Sequence, residues 1–417
     1  MDANIIRRGW RKVLEYLGPP TFPFFMVIGA SILRTIGPYV PFLKYARDDR
    51  FSYHMPPVYS EAYQRFYDNI VNRGLGRNAA PHAITMAVTS DCNLKCIHCS
   101  AFRRETTDSL TTEEWCSVID QCAEMGMTDL IITGGEPFLR KDLDILVRRI
   151  VKNGCIPDIF TNGTMLTDEN LQKVKDAGCD TLFVSIDSPH AEEHDVLRGK
   201  DGTWQKAIDG IKRAVEMDMS VGLSTYLGTE QIDKDYHRKY VKMSKELGIG
   251  EITAFDLVPT GKLIKHDEIL IKTGDREKGR KIHEHQWLDR KGPRVSAMSN
   301  VNDPHVMGCF GVRWQIHITH NGYVTPCDFM PIHWGNVRNE PLRDILERMK
   351  RHPEYDRNTM TCRIQDPEFR RKYIHNIPDG ANLPYPIEKI DPTHRALDEK
   401  EEREQQEREC GFSEMGA

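Results

Sequence analysis

Six strand-like segments alternate with helix-like segments in the middle of the chain, and this alternation constrains the fold more than any other feature. The strand-like runs cover residues 84–89, 129–133, 156–161, 181–187, 220–227 and 251–257. The helix-like runs between them cover residues 112–125, 141–152, 168–177, 204–217 and 234–247. This order predicts an α/β fold with a parallel sheet and right-handed crossovers. Because six repeats are fewer than the eight of a closed barrel, we expect an open, partial (β/α)6 barrel with ligands at the carboxyl ends of its strands.

Three cysteines lie on a short loop after the first predicted strand. Cys92, Cys96 and Cys99 have the spacing CxxxCxxC, and thiolates suit zinc or iron–sulfur clusters. Three thiolates would leave one iron of a four-iron cluster without a protein ligand, and that iron could bind a small molecule. The alternative is part of a structural zinc site, which usually has four ligands. The nearby candidate, His98, lies between two of the cysteines and is poorly placed to join them on one ion.

A second motif ends the second predicted strand. Gly134, Gly135, Glu136 and Pro137 follow an apolar run, which is typical of a strand tip where the backbone approaches a ligand closely. Together the two motifs resemble the radical S-adenosylmethionine (SAM) superfamily, over about residues 80–362. In that family a partial TIM-like barrel carries a 4Fe–4S cluster on the cysteine loop, and the GGEP strand end binds the amino group of SAM.

The resemblance implies further SAM-binding residues, although it assigns no catalytic residue. Asn162 lies in a TNGT sequence similar to one found in the family, but Asn-Gly is also an ordinary turn signal. Ser185 and Asp187 share one face of the fourth strand and are positioned by the resemblance for the carboxylate or ribose of SAM. Arg198 matches an arginine that clamps the SAM carboxylate, and its alternative is a surface ion pair.

A second set of cysteines follows the predicted barrel. Cys309 and Cys327 flank a predicted hairpin with its turn at Asn321-Gly322, and Cys362 lies farther on. The hairpin would bring the first two cysteines close together.

This region resembles the auxiliary-cluster extension called SPASM or, in its shortened form, twitch. The chain lacks the further run of cysteines of a full SPASM domain, which favours one auxiliary iron–sulfur cluster on Cys309, Cys327 and Cys362. Its fourth ligand could be Asp328, Cys410 or a substrate atom. A structural zinc site or ordinary cysteines are the alternatives.

The N-terminal segment has a different character from the rest of the chain. Residues 5–17 predict a basic amphipathic helix, and residues 22–33 form an apolar run too short to span a bilayer, which needs roughly 20 residues. This segment is expected to be a monotopic anchor on a membrane surface or to pack on the core of the protein. The net charge of −5 gives no general attraction to nucleic acid, so no nucleic-acid partner is expected.

The expected organisation has six parts. They are an N-terminal anchor segment (1–50), a linker with a helix (51–82), the radical SAM barrel (83–260), a connector (261–304), the auxiliary-cluster domain (305–375) and a charged tail (376–417). The 11 cysteines are odd in number and include a cluster that is not spaced for disulfides, which favours a reducing, cytoplasmic location.

The predicted function is reductive cleavage of SAM to a 5'-deoxyadenosyl radical that removes hydrogen from a substrate. An electron donor such as flavodoxin or ferredoxin would supply the electron. The apolar and basic N-terminus suggests a membrane lipid as the substrate. The alternatives are peptide or protein maturation, tetrapyrrole modification and, from a different class, a non-catalytic iron–sulfur electron carrier.

Overall fold

The computed structural model describes residues 50, 52–57, 60–74, 79–101, 108–288, 292–302, 308–356 and 362–391. The predicted N-terminal helix 5–17, the apolar run 22–33 and Cys410 lie outside these residues. Within them, every helix falls short of the length and apolar character that crossing a bilayer requires.

One large sheet forms the centre of the described part of the chain. The strands are β1 (Ala83–Ala87), β2 (Asp129–Thr133), β3 (Ile156–Thr161), β4 (Thr181–Ser185), β5 (Ser220–Leu227), β6 (Glu251–Asp256), β7 (Arg294–Ala297), β8 (Gln315–Ile318), β9 (Val324–Thr325), β10 (Ile332–His333) and β11 (Tyr385–Pro386). The large sheet has the order β7-β6-β5-β4-β3-β2-β1-β8-β9, while β10 and β11 pair separately. All neighbours in the large sheet are parallel except β8 and β9. Since the sheet ends on two different strands it is open, and its first six strands confirm the predicted repeat.

The five predicted helices are present between the parallel strands, together with further helices. They are α1 (Glu61–Gly74), α2 (Thr112–Glu124), α3 (Leu143–Lys152), α4 (Asp168–Asp176), α5 (Ala191–Arg198), α6 (Thr203–Glu216), α7 (Thr229–Asp233), α8 (Tyr236–Leu247), α9 (Thr273–Leu288), α10 (Met298–Val301), α11 (Leu342–Arg351), α12 (Pro353–Asp356) and α13 (Pro367–Phe369). Helix α2 begins with a capping box, because the side chain of Thr111 accepts from the Glu114 amide while Glu114 accepts from the Thr111 amide.

The strands have two different faces. One face is apolar and packs with helix residues in the main core, which includes Ile84, Met86, Leu130, Ile132, Leu182 and Val184. The other face contains Phe160 and Phe183, whose rings stack with centroids 4.6 Å apart. Because side chains alternate along a strand, Ser185 continues the face of Phe183 toward the carboxyl end of β4.

The sheet extends beyond the six predicted strands at both edges. The connector contributes β7, which is parallel to β6 and pairs Arg294 with Glu251. On the other side, β8 is parallel to β1 and pairs Gln315 with Ala83. The antiparallel β8–β9 pair confirms the predicted hairpin. The region of the second cysteine set is therefore attached to β1, the strand that precedes the first cysteine loop.

Candidate functional site

The first cysteine loop begins against the glycine pair that ends β2. The amide of Gly135 donates to the Thr89 carbonyl and the amide of Glu136 donates to the Asp91 carbonyl, both at 2.7 Å. A Cβ atom at Gly135 would overlap the carbonyl oxygen of Asp91. The sequence suggested that the glycines admit a ligand, whereas the structure shows that Gly135 admits the backbone leading into the cysteine loop.

Asn162 connects the end of β3 to the same loop. Its side-chain amide donates to Asn93 Oδ1 at 2.9 Å, and its own Oδ1 accepts from the amide of Thr164 at 2.9 Å. Asn93 in turn donates to the Thr164 hydroxyl at 2.8 Å. Asn93 directly follows Cys92, so this closed set of hydrogen bonds fixes the start of the cysteine loop relative to the barrel.

The opposite side of the loop contacts helix α5 and the segment after β6. The amide of Ile97 donates to the Leu197 carbonyl at 3.0 Å. The ammonium group of Lys262 donates to the Cys96 carbonyl at 2.7 Å. The loop is therefore held by hydrogen bonds to the ends of β2 and β3, to helix α5 and to the segment after β6.

Glu136 is fully buried beside the loop. Its Oε1 accepts from the Thr161 hydroxyl at 2.7 Å and from the Phe138 amide at 3.2 Å, while Oε2 accepts from the Asn162 amide at 2.8 Å. Burial raises the pKa of Glu136, although these three hydrogen bonds oppose the shift. Pro137 starts the short 3-10 turn that follows. The carboxylate thus joins the ends of β2 and β3 next to the cysteines.

Asp187 and Arg198 form a buried ion pair that reaches the cysteine loop. Arg198 Nε lies 2.6 Å from Asp187 Oδ2, and Arg198 Nη2 donates to Asp187 Oδ1 at 2.8 Å. His98 Nε2 lies 3.1 Å from Asp187 Oδ2, and Arg198 Nη1 lies 3.8 Å from Cys96 Sγ. Arg198 is therefore paired inside the site rather than at the surface.

These contacts determine the charge states in the site. Burial raises the pKa of Asp187, but Arg198 and His98 lower it more, so the net pKa lies well below the ordinary value. Burial raises the pKa of the Cys96 thiol, and Arg198 opposes this shift. The guanidinium therefore supplies positive charge beside a thiolate that burial disfavours.

The fourth and fifth strands direct further side chains toward the loop. Ser185 is half-buried at the end of β4. The ring of Tyr226 on β5 lies 5.2 Å from the ring of His98, whereas Thr225 donates to the Tyr240 hydroxyl on α8 at 3.0 Å. These contacts place Tyr226 on the site face of β5 and Thr225 on the helix face.

The second cysteine set comes together beside the β8–β9 hairpin. Burial and the nearby charges of Asp328, Cys309 and Cys362 hold the pKa of Cys327 well above its usual range. Burial also raises the pKa of Cys362 to about 12, and Cys309 adds to the shift. Asp328 Oδ1 accepts from Gln315 Nε2 at 2.9 Å, and this carboxylate directly follows Cys327 in the chain.

The spacing of the sulfur atoms distinguishes between a single ion and a cluster. In a tetrahedral zinc site with bonds of about 2.3 Å, sulfur atoms lie roughly 3.8 Å apart. Among the described residues, the one trio of His, Cys, Asp or Glu ligand atoms within 4.8 Å of one another is His54, Asp129 and Asp158. Neither cysteine trio is that compact, which disfavours one zinc ion and fits a larger metal cluster.

A cavity of about 550 Å³ lies between the barrel mouth and the hairpin. Its lining includes Gly134 and Gly135 at the end of β2 and Asp328 beside the second cysteine set. The remaining lining includes His317, His320, Tyr323, His333 and Lys389. The volume is within the roughly 300–1,000 Å³ of small-molecule and cofactor sites. The two cysteine regions therefore border one shared space.

Comparison with known proteins agrees with this arrangement. Residues 86–241 match the family model described as the radical SAM superfamily, and residues 309–370 match the SPASM model, described as an iron–sulfur cluster-binding domain. The AdoMet-dependent heme synthase of Methanosarcina barkeri (strain Fusaro / DSM 804) is 31% identical over 290 residues, which are 64% of this chain and 82% of the relative. The chain belongs to the radical SAM superfamily. It is an enzyme whose cofactors are a 4Fe–4S cluster, SAM and a second iron–sulfur cluster, and it requires a reductant.

Two further comparisons extend this result. The Fe-coproporphyrin III synthase of Methanosarcina barkeri (strain Fusaro / DSM 804) is 32% identical over 207 residues, which are 47% of this chain and 51% of that protein. The crystal structure of Streptococcus suis SuiB bound to precursor peptide SuiA has a TM-score of 0.55 at 16% identity, covering 70% of both chains. The second likeness supports the fold alone.

Several residues near the site were not assigned from the sequence. Asn93, Tyr226 and Lys262 contact the cysteine loop or its neighbours, and His98 pairs with Asp187 instead of serving as a metal ligand. These contacts arise from the tertiary structure. No motif or residue spacing in the sequence predicts them. Nothing in the sequence groups His317, His320 and His333. The structure shows that all three line the same cavity.

Proposed function

We propose that this enzyme modifies a tetrapyrrole that carries carboxylate side chains. The observation that carries the proposal is the cavity shared by the barrel mouth and the hairpin, with imidazole groups, a tyrosine and a lysine in its wall. Two relatives are named for iron tetrapyrroles, an AdoMet-dependent heme synthase and an Fe-coproporphyrin III synthase. This support favours the tetrapyrrole alternative over the lipid substrate that the N-terminal segment suggested.

The first cysteine trio is proposed to hold the 4Fe–4S cluster. Cys92, Cys96 and Cys99 provide three thiolates, and their spacing exceeds that of a mononuclear zinc site. When bound, the cluster and SAM supply a 5'-deoxyadenosyl radical that removes hydrogen from the substrate. The protein residues position these groups, and Arg198 offsets negative charge at Cys96.

The strand end of β2 is proposed to receive the amino group of SAM. Gly134, Gly135, Glu136 and Pro137 form this strand end. A carboxylate has about four acceptor sites, and Glu136 uses three of them for the Phe138 amide, the Thr161 hydroxyl and the Asn162 amide. One acceptor position on Oε2 remains for an ammonium group.

The ion pair beside the loop is proposed to orient the rest of SAM. Two nitrogens of Arg198 already bind Asp187, so the remaining Nη1 is the group that can reach the SAM carboxylate. Ser185 would bind the same part of the cofactor. Asn162 is proposed to act by fixing the loop through Asn93.

The second cysteine trio is proposed to hold the auxiliary cluster. Cys309, Cys327 and Cys362 would provide three ligands, with Asp328 as the fourth-ligand candidate inside the described residues. Cys410 or a substrate atom remains the alternative. Because Asp328 also lines the cavity, this cluster would lie next to the bound substrate.

The cavity wall suits a carboxylated iron tetrapyrrole. Burial lowers the pKa of His317 to about 4, and burial together with Lys389 lowers the pKa of His333 to about 4. Both imidazoles are therefore neutral near pH 7, the form that binds iron. The ring of Tyr323 lies 4.3 Å from the ring of His333, and Lys389 can pair with a substrate carboxylate.

Substrate-dependent cleavage of SAM tests this proposal. Anaerobically reconstituted enzyme, reduced by flavodoxin or ferredoxin as the proposed donor or by dithionite, is mixed with SAM and either iron coproporphyrin III or phospholipid vesicles. We expect 5'-deoxyadenosine to accumulate with the porphyrin, together with a change in porphyrin mass. If 5'-deoxyadenosine formation is stimulated by the vesicles and not by the porphyrin, the substrate would be a lipid. No stimulation by the porphyrin would contradict the proposal.

Porphyrin binding to variants tests the cavity itself. We expect Lys389→Ala to weaken binding about 2–5-fold, the effect of losing one exposed charge pair of roughly 0.4–1 kcal/mol. Lys173→Ala, an exposed lysine on α4, is the control. Porphyrin affinity is measured by absorbance titration. Equal affinities of the two variants would show that Lys389 does not bind the porphyrin.

A further inference from the structure

The amino-terminal end of the barrel contains a buried acidic pair. Asp129 is the first residue of β2 and Asp158 the third residue of β3. Their exposed fractions are 2% and 0%. His54, from the segment before α1, covers this end of the barrel and stacks on Phe183 at 4.3 Å. The first cysteine loop and the GGEP strand end follow the carboxyl ends of β1 and β2, whereas the acidic pair lies toward the amino-terminal ends of β2 and β3.

The three side chains have the spacing of a metal site. One ligand atom from each of His54, Asp129 and Asp158 lies within 4.8 Å of the other two. His54 Nδ1 lies 4.0 Å from Asp158 Oδ2, while His54 Nε2 hydrogen-bonds to Thr253 Oγ1 at 2.8 Å. When Nε2 donates to Thr253, Nδ1 carries the lone pair toward the carboxylates, which is the arrangement of a metal-binding imidazole.

The carboxylates lack the partners that buried charges require. Asp129 Oδ1 and both oxygens of Asp158 are buried without a hydrogen-bond partner among the described residues. Native proteins rarely leave such groups unpaired, because burying an isolated carboxylate is costly. Three buried carboxylate oxygens without a hydrogen-bond partner among the described residues, close to one imidazole nitrogen, indicate a missing positive charge.

A count of the neighbouring charges gives the size of that deficit. Arg50 lies 3.1 Å from Asp180, and Arg294 lies 3.1 Å from Glu251, so each guanidinium is matched by one acid. Burial lowers the pKa of His54, so its imidazole is neutral near pH 7. Counting the described residues alone, the acidic pair is left with two uncompensated negative charges when both members are ionised, which a divalent cation would balance.

We propose that His54, Asp129 and Asp158 bind one divalent transition-metal ion in a structural site. One imidazole and two carboxylates form a mixed nitrogen and oxygen donor set that suits Zn²⁺, with water completing the coordination. The ion would bind the segment 52–57 to β2 and β3. The rival state is a proton shared by the two carboxylates, since burial raises the pKa of Asp129 to about 8.

Metal content of the full-length, cluster-loaded protein tests the site. The protein is incubated anaerobically with zinc chloride, desalted and analysed for zinc and iron. Asp158→Asn removes a ligand while keeping the side-chain shape, and Asp180→Asn is the matched control because Asp180 pairs with Arg50 instead. We expect about one more zinc ion per chain in the wild type and Asp180→Asn than in Asp158→Asn, with equal iron in all three. Equal zinc in the wild type and Asp158→Asn would overturn the proposal.

The local structure of the bound zinc provides a second measurement. X-ray absorption of the zinc-loaded wild type should show nitrogen and oxygen neighbours at about 2.0–2.2 Å. A shell of sulfur neighbours near 2.3 Å would assign the zinc to the cysteine sets and overturn the proposal. Zinc should also raise the melting temperature of the wild type and Asp180→Asn but leave that of Asp158→Asn unchanged. If zinc does not raise the melting temperature of the wild type, the metal site is refuted, and a proton shared by Asp129 and Asp158 would explain the buried pair.

Discussion

The buried ion pair of Asp187 and Arg198 gives the sharpest stability prediction. The Asp187 side chain is 4% exposed and that of Arg198 is 11% exposed, and two nitrogen–oxygen contacts of 2.6 and 2.8 Å join them. Removing one partner of such a pair costs roughly 3–5 kcal/mol. Asp187→Asn retains an amide oxygen that can accept one hydrogen bond worth about 1 kcal/mol. We therefore expect the variant to lose about 2–4 kcal/mol of unfolding free energy.

Urea unfolding of the anaerobic, cluster-loaded protein, followed by tryptophan fluorescence, measures this loss. With an m-value of about 3 kcal/mol/M, the midpoint should fall by about 0.7–1.3 M. Glu192→Gln removes the same charge at an exposed position of α5 and should stay within about 0.5 kcal/mol of the wild type. A midpoint of Asp187→Asn that matches the Glu192→Gln control would refute the energetic reasoning.

The same ion pair predicts how the difference depends on pH. Arg198 and His98 hold the folded-state pKa of Asp187 below its ordinary value of about 3.9. A lowered carboxyl pKa stabilises the fold fully above the unfolded value, and this stabilisation is lost as pH falls through the folded value. When His98→Asn is present in both proteins, so that the imidazole paired with the carboxylate cannot titrate, the stability difference between Asp187 and Asp187→Asn should therefore be the same at pH 6 and pH 8. A difference that vanishes between these values would show that Asp187 titrates there.

Three further variants test separate parts of the structure. Gly135→Ala should lower the iron content by at least about half, because its Cβ would overlap the Asp91 carbonyl, whereas Gly274→Ala meets no atom within 4 Å and should retain full iron. Cys362→Ala should reduce iron content but keep the electron paramagnetic resonance (EPR) signal that responds to SAM, and loss of that signal would show that the two cysteine sets are not independent. Tyr240→Phe should lower the unfolding free energy by about 1 kcal/mol through loss of the Thr225 hydrogen bond, and an unchanged urea midpoint would contradict this value.

The barrel was predictable because each repeat has its own local pattern. Strands β1 to β6 are apolar runs of five to eight residues, separated by helices with clear amphipathic faces. Strand β7 was missed because its polar–apolar alternation covers four residues only, Arg294–Ala297, and its place in the sheet is specified by pairing with β6. The parallel pairing of β8 with β1 joins residues more than 200 positions apart, which no local pattern encodes.

The candidate site was only partly predictable for a related reason. The motifs named the cysteines and the GGEP strand end, and they named Asp187 and Arg198 as separate candidates. The structure brings the GGEP strand end, Asp187 and Arg198 close to the first cysteine loop. The sequence could not show that Gly135 faces protein backbone, that His98 pairs with an acid, or that Arg198 is already occupied by Asp187. These contacts join residues that are far apart in the sequence. Local sequence patterns predict single strands, but they do not predict which side chains come together where strands end.

The most direct test of the account is the EPR spectrum of the reduced first cluster with and without SAM. The protein for this measurement is Cys362→Ala, so that the auxiliary cluster contributes little signal. We predict a 4Fe–4S spectrum that changes when SAM is added, and no such spectrum when Cys92, Cys96 and Cys99 are also replaced by alanine. A spectrum unchanged by SAM, or one that persists without these three cysteines, would contradict the claim that this loop holds a cluster with an iron open to SAM.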